Sequence, residues 1–289
     1  MKNLFLPLCG LILFSCAGTG EKADTDSPDI SYDSVLNSNE TDSLDRDKLL
    51  RDSINGSPNA MVLQKENGLR IEWQVKKEGR KITRWDVPMI NYKARVAGGE
   101  QYDSNDGVGW AVPVRIGIGI LVKGMEEGLA EMHEGDKGRI MIPNALAYGE
   151  DGYGTIVPPK ADVIVDLEIV DLLEPYSLEE GIKVFKWHVS DSGKVAKKNQ
   201  WITFDYFAYT QGDAGKMYDN SYQNGEPYKM RFQNDNLVAG LHVGMSVLKP
   251  GDNALIHIPA KMAYGTKGML DLVPPNTDII YDVRVLSIR

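Results

Sequence analysis

The chain has 289 residues, 32 Lys and Arg against 41 Asp and Glu for a formal net charge of −9, and only two cysteines and four histidines. Two cysteines cannot staple a small disulfide scaffold, an acidic chain without clustered Lys and Arg lacks the counterion release that drives nucleic-acid binding, and a multi-ligand zinc module needs more Cys and His. With 42% hydrophobic and 25% charged residues, most of the chain has a globular composition, and its length suits two domains of ordinary size.

Lys2 precedes an apolar run from Leu4 to Phe14. A bilayer takes roughly 20 apolar residues, so this shorter run reads as a secretory signal. The tetrad Leu13-Phe14-Ser15-Cys16 resembles a bacterial lipobox: an aliphatic residue three places before the cysteine, a small one directly before it, and the cysteine that is lipidated. Phe14 is bulkier than usual at its place. The resemblance implies a lipoprotein signal peptide at 1–15 and acylation of Cys16, with the several chains that stable anchoring requires. The alternative is an ordinary signal peptide with a cysteine at the cleavage point. Ala17 stands where some bacteria use Asp to retain lipoproteins in the inner membrane, which favours an outer-membrane anchor facing the periplasm. Beyond it, residues 17–59 carry ten acids against four bases among Ser, Asn and Thr. Such a segment cannot bury enough surface to offset its ordering entropy, so 16–59 reads as an acidic, flexible tether, with at most a brief helix at Ser43–Ile54. Most of the net charge belongs to this tether.

An internal repeat organises the remainder. A constant offset of 116 carries Asp103 to Asp219, Gly124 to Gly240, Pro143 to Pro259, Tyr148 to Tyr264 and Pro158-Pro159 to Pro274-Pro275. Upstream the offset falls to 114, from Tyr92 to Tyr206, which places two extra residues around Gly212 to Gly215. Two homologous domains follow, at 60–174 and 175–289. In chain order, each begins its legible part with apolar residues at helical spacing: Leu121, Val122, Met125 and Leu129 in the first, Leu237, Val238, Leu241 and Met245 in the second. Gly135-Asp136 and Gly251-Asp252 are turns leading into strands at Arg139–Ile142 and Ala254–Ile258. A final period-2 strand places Val163, Val165, Leu167 and Ile169, or Ile279, Tyr281, Val283 and Val285, on the inner face. Several strands and one short helix per copy make an α+β fold, each domain a half-open antiparallel sheet wrapped on its helix.

Other chemistries find no purchase. Gly117, Gly119 and Gly124 match neither dinucleotide nor phosphate-loop spacing. The run from Asp103 to Gly107 lacks the ligand spacing and closing Glu of a calcium loop. His133, His188, His242 and His257 are dispersed, so neither a metal nor another cofactor is expected.

The segments Val122-Lys123-Gly124-Met125-Glu126-Glu127-Gly128-Leu129, Gly135-Asp136, Ala147-Tyr148-Gly149 and Ile156-Val157-Pro158-Pro159 are followed by their echoes Val238-Ala239-Gly240-Leu241, Gly251-Asp252, Ala263-Tyr264-Gly265 and Leu272-Val273-Pro274-Pro275. Together with Tyr92 and Tyr102-Asp103, this ordered set resembles the FKBP-type peptidyl-prolyl isomerases over nearly all of residues 66–289. The resemblance implies catalysis of rotation about X–Pro bonds in an apolar pocket. In the first domain the implied pocket residues are Tyr92, Tyr102, Asp103, Val112, Leu121, Val122, Met125, Tyr148, Ile156, Val157 and Val165. In the second they are Tyr206, Tyr218, Asp219, Tyr228, Leu237, Val238, Leu241, Tyr264, Leu272, Val273 and Tyr281. The hydroxyls of Tyr148 and Tyr264 and the backbone N–H of Val122 and Val238 are implied donors to the substrate backbone, beside Asp103 and Asp219. Met125 and Leu241 replace the family's frequent floor Trp, and Val112 and Val165 stand where aromatics are common, so the second copy is the more complete. No long insertion separates Tyr148 from Pro158 or Tyr264 from Pro274, so no chaperone flap is expected. The implied protein is a monomeric, lipid-anchored isomerase of the bacterial cell envelope. It acts on proline-containing segments of exported clients and binds no nucleic acid. The alternative is a non-catalytic proline-segment binder or holdase within an envelope complex.

Overall fold

A computed structural model describes residues 61–84, 86–212 and 215–289. The signal peptide, Cys16, the acidic tether and the brief helix expected at Ser43–Ile54 lie outside the described residues. The described chain falls into two compact units. One holds the residues up to Lys77 with 91–110 and 135–168, and the other holds 78–90, 111–134 and 169–289.

Each copy of the repeat builds a seven-stranded antiparallel sheet. The first uses β1 (Met61–Gln64), β2 (Arg70–Val75), β3 (Pro88–Val96), β4 (Gln101–Ser104), β5 (Val112–Pro113), β6 (Lys137–Ile142) and β7 (Val163–Leu172), with α1 (Lys123–Leu129) between β5 and β6 in the chain. Its order is β1-β2-β6-β7-β3-β4, with β5 also on β3. The second uses β8 (Tyr176–Ser177), β9 (Lys183–His188), β10 (Trp201–Thr210), β11 (Met217–Asn220), β12 (Tyr228–Arg231), α2 (Ala239–Met245), β13 (Asn253–Ile258) and β14 (Ile279–Ile288). Its order, β11-β10-β14-β13-β9-β8 with β12 on β10, is the same topology. The α+β expectation of a half-open sheet with one short helix per copy is met.

The second copy shows why these residues form these elements. Ile202, Phe204, Tyr206 and Ala208 of β10, Ala254, Ile256 and Ile258 of β13, and Ile279, Tyr281, Val283 and Val285 of β14 alternate onto one face, where they enclose Leu241 and Met245 of α2. The helix is only seven residues long and cannot be stable on its own; burial of this stripe holds it. Gly240 and Gly244 make the close approach possible, because a methyl group on either would overlap Ile258 Cγ2 or Ile256 Cγ2. Their counterparts Gly124 and Gly128 are buried in α1.

The Gly-Asp turns do more than reverse the chain. Gly135 and Gly251 have φ of +83° and +90°, which a side chain would oppose. The following carboxylates are completely buried and each collects donors. Asp252 accepts from the backbone N–H of Ser190 (2.7 Å) and Lys249 (3.0 Å) and from Lys186 Nζ (3.2 Å). Asp136 accepts from the N–H of Lys77 (2.6 Å) and from Trp73 Nε1 (2.9 Å). A buried charge is tolerable only when so satisfied.

Replacing Gly244 with Ala tests the helix seat. Better helix propensity alone would stabilise by about 1 kcal/mol, whereas overpacking typically costs about 1–3 kcal/mol. The contact with Ile256 makes the second effect dominate, so urea denaturation should show a lower midpoint for Gly244→Ala. A raised midpoint would mean the helix stands further from β13.

Candidate functional site

In the second copy the site begins with strand register. Tyr206 pairs with Val283, and Tyr281 with Ala208, so the two tyrosines are diagonal neighbours on one face with ring centroids 5.5 Å apart. Phe204 lies directly opposite Tyr228 of β12. Tyr228 meets Tyr206 edge-on at 6.0 Å and 89°. Asp219 on β11 lies opposite Ala208 and receives the Tyr206 hydroxyl at 2.7 Å, while its other oxygen accepts the N–H of Asn220 at 2.8 Å. Tyr218 donates to the Tyr281 hydroxyl across 3.5 Å, long for an O–H···O bond. Its ring meets that of Tyr264 at 6.3 Å and 81°. Leu237, Val238 and Tyr264 pack against this core, into which Leu241 and Val273 are buried.

The resulting inner face is apolar, with tyrosine hydroxyls set among the packed rings. Burial pushes the phenols of Tyr206, Tyr218 and Tyr281 above the ordinary range, helped by the Asp219 carboxylate beside Tyr206 and by the neighbouring tyrosines around Tyr218 and Tyr281. They are neutral donors through the physiological range. Val238 is the extended residue at the start of α2, with φ −55° and ψ 129°, where helix N–H groups lack an intrahelical acceptor. Gln233 N–H donates to His242 Nδ1 on α2 at 3.0 Å, which fixes the loop that leads to Val238.

The first copy repeats two of these relations. Within its compact unit the Tyr92 hydroxyl donates to Asp103 at 3.0 Å. The rings of Tyr102 and Tyr148 meet at 6.4 Å and 80°, within 0.1 Å and 1° of Tyr218 and Tyr264. Desolvation raises both phenols. Val165 is buried on β7. Val112, Leu121, Val122 and Met125 belong to the other compact unit. There Val112, Leu121 and Met125 are buried, and Val122 begins α1 in extended geometry (φ −65°, ψ 146°). Gly117 N–H donates to Glu126 on α1 at 2.8 Å, as Gln233 does to His242.

Two pairs of expected wall residues divide their labour. Val157 and Val273 are completely buried, while their neighbours Ile156 and Leu272 are 44% and 41% exposed. The buried valines close the loop through paired backbone bonds, Tyr153 with Val157 and Met269 with Val273, and the exposed ones form a rim. Three features escaped the sequence reading. Phe204 packs on both Tyr206 and Tyr228, and its position two before Tyr206 on a strand was the available signal. Tyr153 lies 5.5 Å from Tyr148. Leu270, 90% exposed, stands two residues before Leu272 in a loop without periodicity. Among the described residues no group of three or more His, Cys, Asp or Glu could hold a metal ion, and no helix is long and apolar enough to cross a membrane.

A family model described as FKBP-type peptidyl-prolyl cis-trans isomerase matches residues 78–170 and 193–286. The mouse peptidyl-prolyl cis-trans isomerase FKBP10 is 25% identical over 210 residues, covering 73% of this chain and 36% of that protein. Yeast FPR2 is 39% identical over 74 residues, covering 26% of this chain and 55% of its own length. The chain thus spans about a third of the length of the longer curated relatives. Among solved structures, the three FKBP domains of wheat FKBP73 align with a TM-score of 0.40 at 20% identity, covering 79% of this chain and 99% of that one. FkpA from Escherichia coli aligns with a TM-score of 0.36 at 27% identity, covering 40% and 51%.

The buried phenols predict how stability depends on pH. Their folded pKa values lie above the unfolded value of about 10, so the stability linked to them is complete below pH 10 and is lost as pH rises toward the folded values. Urea midpoints should be level from about pH 7 to 9 and fall above 10, and Tyr218→Phe should flatten that fall. Tyr206→Phe should destabilise by about 1–3 kcal/mol at neutral pH, because Asp219 loses its short donor.

Proposed function

The chain belongs to the FKBP-type peptidyl-prolyl cis-trans isomerase family, and from that premise we propose that its two tyrosine-lined hollows catalyse rotation about X–Pro bonds. The observation that carries the reading is the doubled wall: a tyrosine bonded to an aspartate (Tyr92–Asp103, Tyr206–Asp219) beside an edge-to-face tyrosine pair (Tyr102–Tyr148, Tyr218–Tyr264). Conserving both geometries across two copies of divergent sequence favours a ligand-facing role over packing alone.

The chemistry needs little more. The barrier to X–Pro rotation comes from amide resonance, and uncatalysed isomerisation takes tens of seconds or longer. A planar, conjugated amide loses more on leaving water than the twisted, less polar form does, so an apolar hollow lowers the barrier differentially. In the second copy Leu241, buried in the same core as Tyr206 and Tyr281, forms the floor for the prolyl ring. There the hydroxyl of Tyr264 and the N–H of Val238 hold substrate carbonyls, and in the first copy the hydroxyl of Tyr148 does the same. The second copy is the stronger catalyst, because Tyr228 and Tyr281 close its wall where the first has Val112 and Val165. The clients are proline-containing segments of exported proteins. Acylation of Cys16 holds the chain in the bacterial envelope, at the outer membrane facing the periplasm, with the acidic segment 16–59 as tether. The support for that address is the lipobox resemblance alone.

A substrate protein whose refolding waits on a prolyl bond provides the test. The full chain at substoichiometric amounts should accelerate the slow phase. In a Tyr148→Phe background, Tyr264→Phe should lower kcat/KM about tenfold, the worth of one hydrogen bond near 1.4 kcal/mol. Suppressed aggregation without acceleration would instead assign a holdase. Cys16→Ala should abolish labelling by radioactive palmitate and release the protein from membranes; retention with unchanged labelling would overturn the anchor.

A further inference from the structure

We infer that Asp162 and Asp278 are positioning residues for Tyr148 and Tyr264, and that His257 makes this support sensitive to protonation in the second copy only. The inference rests on the isomerase reading for its functional consequence, though not for its geometry.

Each tyrosine is delivered by a single turn of 3-10 helix, Asn144–Leu146 or Ala260–Met262. The turn starts from an anchored residue. The N–H of Asn144 donates to Asp162 Oδ1 at 2.9 Å, and the N–H of Ala260 donates to Asp278 Oδ1 at 2.8 Å. From that anchor the chain is closed by Gly149 N–H on the Asn144 carbonyl and by Gly265 N–H on the Ala260 carbonyl, both at 2.8 Å. The tyrosine sits between these two bonds. The aspartate is itself fixed to the sheet: its backbone carbonyl accepts the N–H of Ala97 in the first copy and of Gln211 in the second, both at 2.9 Å. One residue thus joins the end of β3 or β10, the entry to β7 or β14, and the turn that carries the tyrosine.

The copies differ at the second oxygen. His257 Nε2 lies 3.0 Å from Asp278 Oδ2, whereas the equivalent residue in the first copy is Met141, buried in β6. At neutral pH the imidazole donates from Nε2 and leaves Asp278 shared between His257 and Ala260. Burial lowers the pKa of His257 below its ordinary value, against the pull of Asp278 and with the help of Lys183. The charged groups facing the ring are Lys183, opposite it on β9, Asp278, and Asp86 and Arg115 across a cavity of about 300 Å³ that His257 lines; Arg115 is paired with Asp282. Protonation turns the His257–Asp278 contact into an ion pair, draws the carboxylate toward the ring and loosens Ala260.

The test is a pH titration of the full chain followed by amide NMR, with activity measured in parallel in the Tyr148→Phe background. Between about pH 7.5 and 4.5 the amide of Ala260 should shift in step with His257, and those of Tyr264 and Gly265 should follow. The amide of Asn144, three residues after Met141 as Ala260 is after His257, should not respond in that step. His257→Met should abolish the Ala260 shift. Activity through the second hollow should fall about threefold on acidification, the effect of partly losing one neutral hydrogen bond, and His257→Met should remove that limb. Asp278→Asn retains an acceptor for Ala260 and should keep activity within about threefold, while Asp278→Ala should lose about tenfold. An Ala260 amide that ignores pH, or that moves equally in His257→Met, overturns the inference. Amide shifts as expected without any isomerase activity would leave the positioning intact and remove the catalytic reading instead.

Discussion

The closeness of α2 to β13 is the constraint on which the second site depends. Gly240 and Gly244 let the helix lie on Ile258 and Ile256 without intervening side chains, and that seat decides where the helix N-terminus ends up. It sets Val238 and Leu241 against the tyrosines of β10 and β14. A bulkier helix face would lift Leu241 away from the tyrosines of the sheet. The energy that holds a seven-residue helix comes from this burial, since its length alone gives it little stability.

Apart from the Asp219 carboxylate that takes the Tyr206 hydroxyl, the polar groups on this face are uncharged phenols. Desolvation keeps the buried phenols protonated, and they remain donors without carrying charge into an apolar space. The two copies share the tyrosine–aspartate bond and the edge-to-face tyrosine pair and differ most on the outer face. In the first sheet Arg139 forks onto Asp166 with two bonds of 2.6 and 3.0 Å. In the second, Leu255 replaces that arginine, Asp282 is buried and pairs with Arg115, and Phe185, His257, Ile280 and Tyr209 share the same side of the sheet by register. The repeat has kept the tyrosine–aspartate wall and rebuilt the outer face more fully.

Much of this was legible in the sequence because periodicity and a fixed offset are properties of the chain itself. The offset from Asp103 to Asp219 located the two copies, and alternation along Val163–Ile169 and Ile279–Val285 identified the buried strand face. The strands at Arg70–Val75, Lys183–His188 and Tyr228–Arg231 were not identified. They are short, and sheet pairing rather than an intrinsic pattern defines them. The polar supports were also hidden. That Asp136 and Asp252 would be buried, or that Asp162 and Asp278 would hold the tyrosine turns, depends on backbone N–H groups brought in from distant segments. An aspartate at a strand edge carries no local mark of such a role.

The central claim is that these hollows lower the barrier to X–Pro rotation, and it is tested most directly at equilibrium, where neither refolding nor a coupled protease intervenes. Two-dimensional exchange NMR on a short X–Pro peptide reports cis and trans signals separately. With a catalytic amount of the full chain the account predicts exchange cross-peaks on a subsecond timescale, at unchanged cis and trans populations. Peptide signals that broaden from binding while the exchange rate stays at its uncatalysed value, tens of seconds or slower, would contradict it.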